Sequence, residues 1–485
     1  MTELFRLTAT ALVEGYARGD FSPVDATEAC LRRIAQVDPV LNAFVLVDAE
    51  RALADARASE ARWAAGRPQG LVDGVPTTIK DLYATRGWPT LKGSRTVDRD
   101  QPWDTDAPAV ARLREHGAVL LGKTTTTEFG HKGVGDSPLT GITRNPWNTG
   151  RTPGGSSCGA AVAAAACMAP LNLGGDGGGS IRIPASFSGV FGIKPGYGRV
   201  PSAPAGMIGS MSASGPLARS VADAAALLQV ICGDDPRDWM TLPEPAMDLS
   251  GALERGVRGL RIAHAPTFGD APVDPDVARA VDAAAERFRE LGAQVDTIAF
   301  DLPGAHEVYY AINSVAFAHT LAQVDEARRP WMDQGLRVLA ADGARISAVD
   351  YATALHQGRA RIGAAMRALH MRYDLLLTPA VPTVAFDVGL DFPGDRGGQW
   401  RADWTPFAFP FNLTSQPACS IPCGLDHDGM PIGLQIVGRR REEALVLAAA
   451  RAFERAHPWH LPAFDFLAPA APGARTPPAP VPLTS

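Results

Sequence analysis

The chain has 485 residues, 46% of them hydrophobic and 20% charged, with a formal net charge of −6. This is the balance of an ordinary globular protein, and length alone predicts roughly two to four domains. No basic block is present, which excludes a nucleic-acid or membrane-surface binder held by positive charge.

The first twenty residues lack a basic segment followed by a pure apolar run, so an amphipathic helix is expected there rather than a signal peptide. Residues 1–66 read as helices packed on a core, with Glu28–Gln36 amphipathic and Asp48–Arg62 Ala-rich. Strand-like apolar runs follow at Val75–Ile79, Ala118–Leu121, Ala169–Leu173 and Val190–Ile193. Helical patterns intervene at Ala107–His116 and Ser157–Cys167. Such alternation predicts an α/β fold with a mixed, mostly parallel sheet.

Residues 200–216, rich in Pro, Gly, Ser and Met, read as a loop near the site. Gly259–Pro266 reads as a strand, Pro275–Gly292 as a helix, and 303–372 as a helical insert. Phe386–Thr405 is a long Gly/Asp/Trp loop, of the length that is usually functional. Residues 468–485 are Pro/Ala-rich and expected to be disordered.

The Ala-rich stretch Gly159–Ala169 is too short to cross a bilayer. Six scattered cysteines, with no CxxC pair, fit a reducing cytoplasm. No HExxH occurs, and the His457/His460 pair sits among Pro and Trp, so no metal centre is expected.

The segment 154–184, GGSSCGAAVAAAACMAPLNLGGDGGGSIRIP, concentrates the chemistry. Glycine in runs costs backbone entropy and marks tight turns or close approach to a ligand. Gly177-Gly178-Gly179-Ser180 would set a hydroxyl beside free backbone N–H donors, the arrangement an acyl-transfer nucleophile needs. A Ser–His–Asp triad would draw its base from afar, because no His lies between His131 and His264. Lys80, at the end of a buried-looking strand, is a nearer base, since desolvation lowers a lysine pKa. On local sequence alone the simpler reading is a strand-end Lys that reaches water or pairs with Asp81.

The pieces DGVPTTIKD (73–81), GAVLLGKTTTTEFG (117–130), NPWNTGRTPGGSSCGAAVA (145–163), GGDGGGSIRIPASFSGVFGIKPGYGRV (174–200), PFNLTSQPACSIPCG (410–424) and PIGLQIVG (431–438) together resemble the amidase signature family. The resemblance implies one α/β/α domain over 67–467, not several, with the insert and the 386–405 loop covering the nucleophile. It implies a Ser–cis-Ser–Lys triad: Ser180 the nucleophile, Ser156 the bridging serine beside a cis peptide, Lys80 the base. The amides of Gly177, Gly178, Gly179 and Ser180 would hold the oxyanion. Ser157, Asp176 and Arg182 would form a supporting polar shell, and Phe129, Gly130 and His131 would line the near wall. Two positions depart from the signature: Cys158 stands where Gly is usual, and Gly175 where Ser or Thr is common.

The implied activity is hydrolysis of small apolar or aryl amides, with esters and aryl carbamates within reach. No cofactor, metal, nucleic acid or membrane is required, and a homodimer is left open. Tyr309, Tyr310, Phe317, Trp331, Trp400, Trp404 and Phe407 are expected to cap the site. The family's branch of glutamyl-tRNA(Gln) amidotransferase glutaminases is the alternative; Arg401 and Asp403 could then pair with glutamine's charged groups. A remote alternative takes Gly155–Gly159 as the G-x-S-x-G elbow of an α/β-hydrolase, with Ser157 as nucleophile and His319, His370 or His427 as base. Neither Gly run fits a nucleotide-binding fingerprint.

Overall fold

Runs of residues apolar on both faces form the strands, and they do so because helices cover the sheet on both sides. The computed structural model describes residues 3–244, 247–249, 251–394 and 404–464. The strands are β1 Phe44–Val47, β2 Pro76–Lys80, β3 Val119–Thr124, β4 Asp136–Ser137, β5 Gly141–Ile142, β6 Leu171–Asp176, β7 Phe191–Lys194, β8 Ala213–Ala218, β9 Arg261–His264, β10 Gln294–Thr297, β11 Leu375–Pro379, β12 Ala418–Leu425 and β13 Pro431–Gly438. β4 and β5 pair apart. The other eleven form one sheet in the order β1-β3-β2-β6-β8-β7-β12-β13-β11-β9-β10.

The sheet is single and mixed, as expected, but its balance differs from expectation. Parallel pairing is confined to β3-β2-β6 and β11-β9-β10. All other neighbours in the sheet are antiparallel. Two features tip the balance. The stretch 200–216, read as loop, ends in β8, which inserts antiparallel between β6 and β7. β12 and β13 are joined by a short turn at Asp426–Gly429, and so tight a connection permits only antiparallel pairing.

The N-terminal region supplies helices Ala9–Arg18, Pro23–Leu41 and Ala49–Ala64, but also β1, which closes one edge of the sheet against β3. Helix Pro23–Leu41 starts at a Ser22/Asp25 capping box with Pro23 at its first position. It buries Cys30, Ile34, Val37 and Leu41 against Val119 and Leu121 of β3 and Val162 of the Ala-rich helix.

That Ala-rich helix, Cys158–Ala165, is buried on every side. Small side chains let it run between layers: Ala160, Ala161, Ala164 and Ala165 meet Ile181, Ala185 and Leu217. At Gly159 a Cβ would lie 2.3 Å from the Ala43 carbonyl oxygen, so only glycine fits. The region 303–372 folds as helices Ala305–Ala322, Gln334–Gly343, Ala348–Thr353 and Arg359–His370. The six cysteines are buried and unpaired, and no helix among the described residues is long and apolar enough to cross a membrane.

Candidate active site

Lys80 ends β2, Ser156 precedes the Ala-rich helix, and Ser180 follows β6; β2 and β6 are parallel neighbours, which brings the three segments to one end of the sheet. Lys80 is fully buried and does not pair with Asp81, whose carboxylate instead lies 3.4 Å from the Lys123 ammonium. Lys80 Nζ donates to Ser156 Oγ at 2.8 Å, to Ser157 Oγ at 2.9 Å and to the Gly175 carbonyl at 3.3 Å. Burial pushes the Lys80 ammonium down to about 7, an effect that nearby Asp176 only partly offsets. Such a lysine can exist neutral near pH 7 and accept a proton.

The peptide bond Gly155–Ser156 is cis. Ser156 is buried, whereas Ser180 is half-buried and lines the cavity. The Ser157 amide donates to the Ser180 carbonyl at 3.0 Å, tying the two serine loops together. Among the described residues no hydrogen bond joins Ser156 Oγ to Ser180 Oγ, and the Ser180 hydroxyl is uncommitted. Ser157 is fully buried; its hydroxyl donates to the Gly175 carbonyl and accepts from the Gly175 amide and from Lys80. It has no path to a substrate. His319 and His427 are exposed, and His370 is buried against Tyr373 and Gln416. None of the three lines the cavity, so the elbow reading loses both its nucleophile and its base.

The loop 177–180 is held from below. Asp176 and Arg182 form a two-point ion pair, 3.0 Å at each contact, with both side chains fully buried. Burial would raise the Asp176 carboxyl, but the Arg182 guanidinium holds it well below the usual range. Asp176 also accepts the amides of Gly179, at 2.7 Å, and Ile181, at 3.1 Å. The Gly179 N–H is therefore committed, a departure from the expected set of oxyanion donors. The amides of Gly177, Gly178 and Ser180 have no protein partner among the described residues. At Gly178 a Cβ would lie 2.0 Å from Tyr309 Oη, so the phenol closes against this turn.

Asn412 and Gln435 belong to this support, and inspection of the sequence did not single them out. Asn412 donates to Asp176 Oδ1 at 2.9 Å and accepts from Arg182 at 2.6 Å, and Arg182 donates to Gln435 Oε1 at 2.7 Å. Both lie in the tail segments 410–424 and 431–438, which was the available signal; their separation from 176 hid the contact.

The cavity holds about 250 Å³. Phe129, Gly130 and His131 line it, with Tyr309, Phe317 and Trp404. Other expected aromatics stand elsewhere. Phe407 is fully buried in the core, Trp331 is 52% exposed and outside the cavity, and Tyr310 turns to Asp342. Trp400, Arg401, Asp403 and the tail 468–485 lie outside the described residues. His131 bridges the Glu128 carbonyl and Asp333, which also caps helix Gln334–Gly343. Burial alone would lower the Lys132 ammonium, but Asp136, Asp333 and Asp391 hold it protonated.

Fold and cavity together define an enzyme that hydrolyses amide C–N bonds. The family described as "Amidase" matches residues 25–447, and the chain belongs to it. The glutaminase-type A subunit of glutamyl-tRNA(Gln) amidotransferase from Roseiflexus castenholzii is 38% identical, covering 95% of this chain and 98% of that relative. Its counterpart from Geobacter metallireducens is 38% identical over 94% of this chain and 99% of its own length. Among solved structures, a bacterial aryl acylamidase of the amidase signature family superimposes with a TM-score of 0.87 at 30% identity, covering 96% of this chain and 99% of that chain. A substrate-bound 6-aminohexanoate cyclic dimer hydrolase gives 0.85 at 30%, covering 95% and 99%.

Proposed function

We propose that this chain hydrolyses small amides with an apolar or aryl flank through Lys80, Ser156 and Ser180, without a cofactor. The observation that carries the reading is the buried Lys80 ammonium, 2.8 Å from Ser156 Oγ, beside a cavity walled by Phe129, Tyr309, Phe317 and Trp404. Neutral Lys80 accepts the Ser156 hydroxyl proton while Ser156 accepts that of Ser180. Ser180 Oγ then bonds to the carbonyl carbon, and the carbonyl π electrons move onto oxygen. The amides of Gly177, Gly178 and Ser180 supply the donors for that charge. Collapse breaks the C–N bond; Ser156 passes a proton to the leaving amine and recovers one from Lys80. Water repeats the sequence on the acyl-enzyme. The Ser156–Ser180 hydrogen bond forms in the substrate complex, where catalytic contacts tighten. Esters and aryl carbamates present the same carbonyl and fall within the same chemistry.

The second reading is a glutaminase component of an amidotransferase, and the 38% identity to such proteins supports it. Against it, an aromatic wall favours an aryl group by about 2 kcal/mol per buried ring, while a zwitterion there must find partners for both charges. The experiment assays the purified chain alone on an anilide and on glutamine, with and without EDTA. Anilide turnover that EDTA leaves intact is expected. Glutaminase activity that needs a tRNA-binding partner, with no anilide turnover, would overturn the reading.

A further inference from the structure

Two polar side chains face the cavity without a partner, and the proton relay uses neither. Asn313 is 4% exposed, lines the cavity and makes no hydrogen bond among the described residues. A buried carboxamide left unpaired costs roughly 1–3 kcal/mol, so its retention points to something that pairs with it. Lys92 also lines the cavity, is half-buried, and has no carboxylate or hydrogen-bond partner among the described residues.

The other charged groups on that wall are compensated. Lys80 is discharged by burial, Lys132 faces three carboxylates, and Asp176 is paired with Arg182. Lys92 is the uncompensated charge among them.

Lys92 and Asn313 belong to one end of the cavity. The Lys92 carbonyl accepts the Phe129 amide at 2.8 Å. Phe129 and Phe317 share one apolar cluster, and Phe317 lies one helical turn beyond Asn313. This end borders the relay: at Gly130, next to Phe129, a Cβ would lie 3.2 Å from Ser156 Oγ.

We propose that Lys92 and Asn313 form a carboxylate-binding end of the substrate cavity, so that the amide cleaved carries a carboxylate on a flank away from the scissile bond. An ammonium and a carboxamide NH₂ supply donors to carboxylate oxygens, and the partly desolvated wall strengthens the attraction. Phe129 and Phe317 then hold the apolar body between carboxylate and scissile carbonyl. The inference rests on the amide-hydrolase reading above and names its substrate class.

The test uses the full chain and two matched pairs: N-phenylsuccinamate against butyranilide, with the charge on the acyl side, and 4-acetamidobenzoate against 4-methylacetanilide, with the charge on the amine side. In one pair the carboxylated member should show a kcat/KM roughly tenfold or more above its neutral partner, the size of one charge-assisted hydrogen bond. Lys92→Gln should collapse that ratio, mainly through KM, and Lys92→Arg should restore part of it. Asn313→Leu should lower it by a smaller factor. A ratio near one in the parent enzyme, or an undiminished ratio in Lys92→Gln, overturns the inference while anilide turnover keeps the hydrolase reading. If glutamine is cleaved and no anilide of either charge is, the hydrolase reading falls and the inference falls with it.

Discussion

Asp176 and Arg182 stand six residues apart and grip each other through two contacts in a fully buried pair, one at each end of the turn that presents Ser180. The Asp176 carboxylate also takes the Gly179 and Ile181 amides, so one side chain sets the path of the backbone on both sides of the serine. Removing one partner strands a buried charge, which costs roughly 3–5 kcal/mol. Asp176→Asn should therefore lower the urea midpoint sharply or prevent soluble expression. Arg182→Leu should do the same, and the double variant should lose less than the sum of the two. Additive losses in that cycle would show the pair to be uncoupled.

The pH dependence follows from Lys80. Its ammonium is held near 7, so below that pH it is protonated and cannot accept the Ser156 proton. The kcat/KM profile should rise with pH along a limb centred near 7, and Lys80→Ala should reduce turnover on the order of a thousandfold or more. A profile flat from pH 5.5 to 8.5, roughly three units about that midpoint, would exclude Lys80 as the base.

Stability carries the same signature. The unfolded chain holds the Lys80 proton up to the ordinary 10.5, the folded chain only to about 7. Between those values the unfolded state binds more protons, so this contribution raises stability as pH rises. Lys194, pushed down by burial to about 7, and Lys123, to about 8, act in the same direction. Urea unfolding at pH 7 and pH 9 should show a gain in the parent protein and a smaller gain in Lys80→Met.

A fluorophosphonate probe should label Ser180 and no other serine. Ser180→Ala should abolish labelling. Ser157→Ala should keep it, with turnover reduced by roughly tenfold for the lost hydrogen bond to Lys80. Intact-mass analysis followed by peptide mapping reads the outcome, and an adduct on Ser157 would remove the basis for the proposed relay.

Gly178→Ala should cost activity more than stability. Its Cβ would meet Tyr309 Oη at 2.0 Å, and relief requires moving either the phenol or the turn that carries a proposed oxyanion donor. A displaced donor of this kind costs on the order of a hundredfold in kcat. Circular dichroism and kcat on the same preparation separate the two effects; an unchanged kcat would remove the Gly178 amide from the set of donors.

Local chemistry was enough to mark the site's ingredients. Two glycine-flanked serines around an all-alanine helix have few structural uses, and the lack of nearby histidines turned attention to Lys80. The buried strands Pro76–Lys80, Leu171–Asp176 and Phe191–Lys194 were legible as apolar runs, since burial on both faces leaves no alternation to misread. Strand direction was not legible in the same way. β8 has a Gly/Pro-containing sequence that reads as loop, and only its place between β6 and β7 makes it a strand. The fate of Lys80 was likewise a tertiary matter, because its pKa depends on what seals it from water and because Lys123, from the adjacent strand, takes the Asp81 partner. Asn412 and Gln435 reach Arg182 across more than two hundred residues of chain, a distance over which no local pattern carries information. The aromatics divided between cavity and core for the same reason: periodicity marks Phe407 and Phe317 alike as apolar, and packing alone sends the first into the interior and leaves the second on the wall. Residue chemistry determined which groups could react; the fold decided which of them are dry, which are paired, and which are left facing the substrate.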